Sequence, residues 1–242
     1  MQDLFEVRNL QKSYKDFSLK NISFSVPAGA IMGLVGINGA GKTTLIKSIL
    51  GIVKPDFGEV FLFGKAFGDG ENSDIGIVTD DNSFDEHWRI FEAKKICRLF
   101  INGWDDDKFD GLIERFGIAQ NKKIKELSRG MNVKFMIAVA LSHDAKLLIL
   151  DEPTSGLDPV ARADICNLLS DFVSQGNKSV LFSTHITEDL EKIANYLTFV
   201  HNGEIVLSDT KEAIVDKMNN VANLSLVSLS DLVLYISAGG DL

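Results

Sequence analysis

Apolar and polar residues alternate in short runs over the first thirty-five positions of the chain. The runs LFEVRNL, FSLKNISFSV and AIMGLVG have the composition and period of β-strands, and Pro27 to Gly29 marks a turn before the last of them. The next run, TTLIKSILGIV, places Leu45, Ile46 and Ile49 at helical spacing and stops at Gly51. The pattern therefore predicts a strand, a glycine-rich loop and a helix in succession.

Between Phe84 and Asp144 the apolar residues recur with the period of helices, which predicts a helical insertion. Three short apolar runs follow it, KLLILDEP, KSVLFSTH and YLTFVHNGEIVL, with helical stretches between them. Each run has the length and flanks of a buried parallel strand. Strands that alternate with helices on both sides of the insertion predict an α/β fold.

A length of 242 residues fits one sizeable α/β domain, or one domain with a small subdomain, and is too short for two full domains. The 45% hydrophobic and 24% charged positions are an ordinary globular balance. A net charge of −9 argues against a nucleic-acid partner. No stretch reaches the roughly eighteen apolar residues of a membrane span, so we expect any membrane contact to be made through a partner. Cys97 and Cys166 lie far apart in the sequence, which fits reduced thiols rather than a disulfide or a metal site.

A phosphate-binding loop is indicated by GINGAGKTT, which follows a predicted strand and opens a predicted helix. Glycines let backbone amides wrap phosphates, Lys42 reaches the outer phosphates, and Thr43 offers a hydroxyl to Mg²⁺. The predicted nucleotide-binding residues of this loop are Gly36, Asn38, Gly39, Ala40, Gly41, Lys42, Thr43 and Thr44.

Two adjacent acids end the apolar run LLILDEP. Asp151, at the end of a strand, is suited to hold Mg²⁺, and Glu152 is placed to polarise an attacking water. An isolated acidic pair can simply cap a strand, but together with a P-loop it predicts hydrolysis of a nucleoside triphosphate.

The segment KELSRGM predicts a second anion site. Ser128 has the character of a helix N-cap, and Gly130 lets a ligand approach the backbone. Because the chain already has one phosphate loop, the second site calls for an explanation.

These motifs, in this order, resemble the nucleotide-binding subunits of ABC transporters over about Leu4 to Lys211. LSRGM is similar to the signature motif, the segment Ser155 to Asp158 resembles the D-loop, and His185 resembles the switch histidine. Tyr14 stands where the family places an aromatic residue that stacks on adenine. The resemblance implies ATP as ligand, Mg²⁺ as cofactor, Glu152 and His185 as catalytic residues, and nucleotide contacts from Tyr14, Ser128, Gly130 and Asp158.

The family fold implied is a P-loop ATPase with a β-rich N-terminal subdomain, a RecA-like core and a helical signature subdomain at about 84–144. Residues 1–215 would form this domain, and 216–242 a short C-terminal extension packed on it. Two subunits, identical or different, would meet head to tail when ATP binds. The signature helix of one subunit would then close on the γ-phosphate held by the other, which explains two anion sites on one chain.

The same resemblance implies a transmembrane permease that docks near Asp80 to Trp88, and a location on the cytoplasmic face of the membrane. The subgroup most similar to this chain serves exporters of drugs, antibiotics or antimicrobial peptides. A soluble ABC-type ATPase, such as an iron–sulfur assembly scaffold, is the alternative. An ordinary P-loop kinase or GTPase would leave the signature, the D-loop and His185 unexplained.

The chain departs from the family pattern in two places. Arg129 and Met131 replace a glycine and a glutamine of the usual signature, and Arg129 adds a cation near the phosphates. Asp80 stands where the family usually has glutamine, which contributes an oxygen toward Mg²⁺. The resemblance therefore implies three metal-side residues, Thr43, Asp80 and Asp151, and Asp81 could share the role of Asp80.

Overall fold

A computed structural model describes residues 3–67, 74–79, 84–221, 228–238 and 240, and the backbone alone for 218–221. The strands of this part are β1 (Asp3–Ser13), β2 (Ser18–Pro27), β3 (Ile31–Val35), β4 (Phe57–Leu62), β5 (Lys65–Ala66), β6 (Ile75–Val78), β7 (Leu147–Asp151), β8 (Ser179–Thr184), β9 (Tyr196–His201) and β10 (Glu204–Thr210). The α-helices are α1 (Lys42–Ile49), α2 (Ile90–Phe100), α3 (Asp106–Arg115), α4 (Arg129–Leu141), α5 (Pro159–Ser174), α6 (Thr187–Ile193), α7 (Lys211–Val221) and α8 (Leu229–Ser237). The α/β class predicted from the sequence is confirmed.

A six-stranded sheet, in the order β10-β9-β3-β8-β7-β6, forms the centre of the molecule. All of its pairings are parallel except that of β9 with β10. Along β3, Met32 and Leu34 belong to one apolar core, whereas Ile31 and Val35 belong to the other. Burial on both faces explains why these strands read as continuous apolar runs.

An antiparallel sheet, in the order β2-β1-β4-β5, covers one side of the central sheet. The inward residues of β1, Phe5, Val7 and Leu10, share a core with Leu45 and Ile46 of α1. Helix α1 therefore lies between the two sheets, and its N-terminus is fixed relative to both.

The predicted helical insertion contains α2, α3 and α4, which together extend from Ile90 to Leu141. Phe109 and Phe135 are fully buried where α3 meets α4, and their rings are 6.4 Å apart. Helix α4 also packs against β6 of the central sheet. The helical region is thus attached to the core through one long helix, and Ser128 lies at the N-terminal end of that helix.

The run YLTFVHNGEIVL forms two strands rather than the one predicted. Asn202 and Gly203 both have positive φ angles, 48° and 77°, which is the backbone of a tight hairpin turn. Strand β9 pairs in parallel with β3, and β10 returns as the antiparallel edge of the sheet. The Asn-Gly pair was the overlooked signal.

The C-terminal helix α8 packs on α6 through its buried residues Leu229, Leu232 and Ile236. The backbone amide of Leu229 donates to the carboxylate of Glu191 at 2.8 Å. Helix α6 follows directly after His185, so α8 supports the element that places this histidine.

The two thiols are free and buried in separate helices, Cys97 in α2 and Cys166 in α5. Burial raises the pKa of each thiol to about 11. Both are therefore protonated and unreactive near neutral pH. In the part of the chain that the structure describes, no helix has both the length and the apolar character needed to cross a membrane.

An ion pair joins α5 to α6. The guanidinium of Arg162 donates to the carboxylate of Asp189 through Nε at 3.1 Å and Nη2 at 2.8 Å, and the Asp189 side chain is only 1% exposed. This bond raises the pKa of Arg162 above its ordinary value. Because Asp189 has little access to water, it depends on Arg162 for its solvation.

We predict that Arg162→Met lowers the free energy of unfolding by about 3 kcal/mol, because it leaves the buried Asp189 carboxylate without its cation. Chemical denaturation of both proteins measures the change. Lys20→Met is the control, since the pair of Lys20 with Glu204 is more than half exposed on both sides. A loss no larger than that of the control would contradict the structural role of the pair.

Candidate functional site

The P-loop connects the end of β3 to the start of α1. Gly41 has φ +111° at the N-cap of α1, a conformation that glycine adopts readily. Lys42 is 5% exposed, and its ammonium donates to the carbonyl oxygen of Gly36 at 2.8 Å. The loop thus folds around its own lysine and presents the start of α1 to the adjoining cavity.

Asp151 ends β7 directly beside Ser183 of β8, its partner in the parallel register. The Ser183 hydroxyl donates to the Asp151 carboxylate at 2.5 Å, and Asp151 is 4% exposed. A buried carboxylate that is bonded to a neighbouring strand has a fixed position. Ser183 was not predicted from the sequence.

Glu152 follows Asp151 with φ +50°, a conformation that is uncommon for a residue with a side chain. Its backbone amide donates to the hydroxyl and to the carbonyl oxygen of Ser183, at 3.0 and 3.1 Å. Its carboxylate lies 3.3 Å from the ammonium of Lys42 and 2.7 Å from Nδ1 of His185. The side chain is thereby held between a cation and an imidazole.

The P-loop, Glu152 and His185 border one open cavity of about 390 Å³. Of the predicted residues, the cavity brings together Asn38, Gly39, Gly41, Lys42, Thr43, Thr44, Glu152 and His185. Gly36 lies behind the loop as the acceptor for Lys42, and Ala40 is buried. Eight of the predicted residues therefore meet at one cavity, although Glu152 and His185 lie far from the P-loop in sequence.

Three further residues line this cavity: Phe17 and Ser155, which were not predicted as site residues, and Arg129, for which the sequence predicted only a cation near the phosphates. Phe17 lies against the P-loop, since a Cβ atom placed on Gly41 would be 2.6 Å from its ring. An aromatic residue just before a strand that borders the P-loop is the signal that could have identified it. Arg129 reaches the cavity from the start of α4.

Tyr14 lies beside the main cavity rather than in it. It is 48% exposed and lines a shallow cleft of about 440 Å³, which shares Phe17 and Gly39 with the main cavity. A ligand held by the P-loop could therefore place a flat group in this cleft.

A smaller cavity of about 280 Å³ adjoins the first and contains Thr79 and Asp151. Glu152 and Arg129 border both cavities. The predicted metal-side residues are thus divided, since Thr43 lines the first cavity and Asp151 the second. Asp80 and Asp81 lie outside the described residues.

Ser128, Gly130 and Asp158 do not line either cavity. The Ser128 hydroxyl accepts the amide of Met131 at 3.2 Å, so its predicted N-cap role is confirmed. The Asp158 carboxylate accepts the amides of Val160 and Ala161, each at 3.0 Å, and these bonds lower its pKa. Ser128 and Asp158 thus each cap a helix at the protein surface, and Gly130 is the second residue of α4.

Comparison with known proteins agrees with this geometry. Residues 19–155 match the family model described as "ABC transporter". The chain is 30% identical to the lantibiotic transport ATP-binding protein SrtF of Streptococcus pyogenes, over 90% of this chain and 96% of that protein. It is 32% identical to the Nod factor export ATP-binding protein I of Burkholderia orbicola (strain AU 1054), over 87% and 72%.

A solved structure described as the ATP-binding subunit of an ABC transporter superposes with a TM-score of 0.85. It is 26% identical and covers 97% of this chain and 99% of its own. The similarity thus extends over nearly the whole length of the fold. A P-loop that faces Glu152 and His185, a matching family model and a matching structure lead to one conclusion: the chain belongs to the ABC transporter family, as an ATP-binding subunit that hydrolyses ATP.

Proposed function

We propose that this chain powers a membrane exporter, and that it hydrolyses ATP with Glu152 as the general base. The role of Glu152 in hydrolysis is supported most directly by the position of its carboxylate. The carboxylate lies 3.3 Å from the ammonium of Lys42 and 2.7 Å from Nδ1 of His185, in a cavity that the P-loop also lines.

The chemistry follows from that arrangement. Backbone amides of the P-loop and the ammonium of Lys42 hold the β- and γ-phosphates. Glu152 accepts a proton from a water molecule while the oxygen of that water forms a bond to the γ-phosphorus. The bond from that phosphorus to the bridging oxygen breaks, and ADP leaves with the electron pair. His185 orients the Glu152 carboxylate through Nδ1 and would lie beside the γ-phosphate.

Thr43 and Asp151 are the described residues that would hold Mg²⁺. Hydroxyl and carboxylate oxygens are the ligands this ion prefers, and Mg²⁺ typically takes one or two protein ligands together with phosphates and water. In the described part of the chain no cluster of three or more His, Cys, Asp or Glu is arranged for a metal. The ion, when bound, neutralises phosphate charge. Asp80 remains a third candidate ligand.

Ser128, Gly130 and Asp158 are proposed to act on ATP bound to a second subunit, identical or different. Each lies at the start of a helix, outside the P-loop cavity of its own chain, which is consistent with a head-to-tail pair. Tyr14 is proposed to stack on the adenine ring. Residues 1–215 would then act as one ATPase domain, with 216–242 as its extension.

The export role rests on the names of the relatives, which state lantibiotic transport and Nod factor export. The permease is proposed to dock near Asp80 to Trp88 and to hold the chain on the cytoplasmic face of the membrane. Copurification with a polytopic protein from solubilised membranes tests this role. A complex that contains only soluble proteins would instead support the iron–sulfur scaffold alternative.

We predict that Glu152→Gln lowers the turnover number at least 100-fold and leaves ATP binding within threefold, because the amide fills the same space and cannot accept the proton. Phosphate release measures turnover, and nucleotide titration measures binding. Glu59→Gln, on the antiparallel sheet, is the control and should match the wild type. Steady hydrolysis by Glu152→Gln would exclude Glu152 as the base.

We predict that Ser183→Ala lowers turnover about tenfold and raises the Mg²⁺ concentration for half-maximal activity severalfold, because Ser183 fixes both Asp151 and Glu152. The matched control is Ser179→Ala on the same strand. Ser179 is equally buried, and its hydroxyl donates to the carbonyl of Pro27 instead. Equal losses in the two variants would show a general effect of removing a buried hydroxyl.

A further inference from the structure

Arg129 lies at a position from which it can act on its own chain. The family resemblance assigns the start of α4 to nucleotide bound by a second subunit. In this structure, however, the Arg129 side chain lines the cavity formed by its own P-loop, together with Lys42 and Glu152. It also lines the adjoining cavity that contains Asp151.

A close contact with the D-loop holds the Arg129 guanidinium at the two cavities. A Cβ atom added to Gly156 would lie 3.1 Å from Nη1 and 3.3 Å from Cζ of Arg129, so the guanidinium rests on the backbone of Gly156. Gly156 has φ +70°, in the turn that precedes α5. The next residue of α4, Gly130, lies against Leu157 of the same loop. The start of α4 and the D-loop therefore touch within one chain.

The charges around the cavity favour an anion with several oxygens. Lys42, paired with Glu152, is on the P-loop side, and Arg129 adds a second cation from the α4 side. A guanidinium presents a planar fork of donors that matches phosphate oxygens, whereas a lysine acts as a point charge. Among the residues that the structure describes, Asp151 and Glu152 contribute carboxylates to the lining of the two cavities that Arg129 borders. The residue is exposed, so a bound nucleotide can reach it.

We propose that Arg129 binds the terminal phosphate of ATP held by its own P-loop, and so makes the single subunit prefer a nucleoside triphosphate over a diphosphate. Because the Arg129 guanidinium also contacts Gly156, binding of the terminal phosphate is communicated to the D-loop. The proposal rests on the proposed function and differs from a role across the dimer, because it requires no second subunit.

The test uses the full chain at a concentration at which sedimentation velocity shows a monomer, with Mg²⁺ and either AMP-PNP or ADP as the titrated nucleotide. Arg129→Ala is expected to weaken AMP-PNP binding about tenfold and to change ADP binding less than twofold, because only the triphosphate reaches the guanidinium. Arg129→Lys keeps the charge without the fork and should lose about threefold. Arg115→Ala removes an exposed cation of α3 and should change neither affinity.

Unchanged AMP-PNP affinity in the Arg129→Ala monomer would overturn the proposal and leave Arg129 with a role across the dimer only. An equal loss for AMP-PNP and ADP would also overturn it, because it would show no recognition of the terminal phosphate. If the wild-type chain bound neither nucleotide, the proposed ATPase function itself would fail, which separates the two results.

Gly156→Ala tests the contact separately, since the added methyl group occupies the place of the guanidinium. Alone it should weaken AMP-PNP binding severalfold, and in the Arg129→Ala background it should have almost no further effect. Full additivity of the two losses would overturn the contact as the link to the D-loop. Thermal unfolding of each variant controls for the strain of alanine at φ +70°.

Discussion

The parallel alignment of β3, β7 and β8 is the constraint on which the rest of the site depends. Val35 lies opposite Thr184, and Asp151 lies opposite Ser183, so the three strands end at the same edge of the sheet. The P-loop, the acidic pair and His185 each follow one of these ends. A slip of one residue would move a side chain by about 3.3 Å and turn it to the opposite face of the sheet. The apolar cores on both faces hold the strands in this register.

Polar groups that this edge buries are satisfied largely by one another. Ser183 donates to Asp151 and also accepts the amide of Glu152, and the Glu152 carboxylate is shared by Lys42 and His185. The left-handed backbone at Glu152 costs roughly 1 kcal/mol, and the bonds to Ser183 offset it. The ion pair of Arg162 with Asp189 then fixes the helices that follow the D-loop and His185 relative to each other. The geometry of the site is thus built into the core.

Local motifs determined what could be predicted from the sequence. The P-loop, the acidic pair and the N-cap at Ser128 each depend on neighbouring residues, and the order of the motifs pointed to the family. Ser183 and Arg162 could not be found in this way, because each acts through a partner that is distant in the sequence. The cavity position of Arg129 depends on how α4 packs against the D-loop, which no local pattern reveals. The Asn-Gly turn after β9, by contrast, was a readable signal.

One chain carries two kinds of proposed nucleotide contact: Lys42, Glu152 and His185 line the P-loop cavity, whereas Ser128 and Gly130 lie outside it. If Ser128 and Gly130 act on the nucleotide of a second subunit, as proposed, hydrolysis needs two subunits, although binding needs one. The most direct test is the rate of ATP hydrolysis per mole of purified chain, measured over a dilution series through the monomer range. The account predicts that this rate falls toward zero on dilution while nucleotide affinity stays constant. A rate per mole that remained constant in the monomer would contradict it.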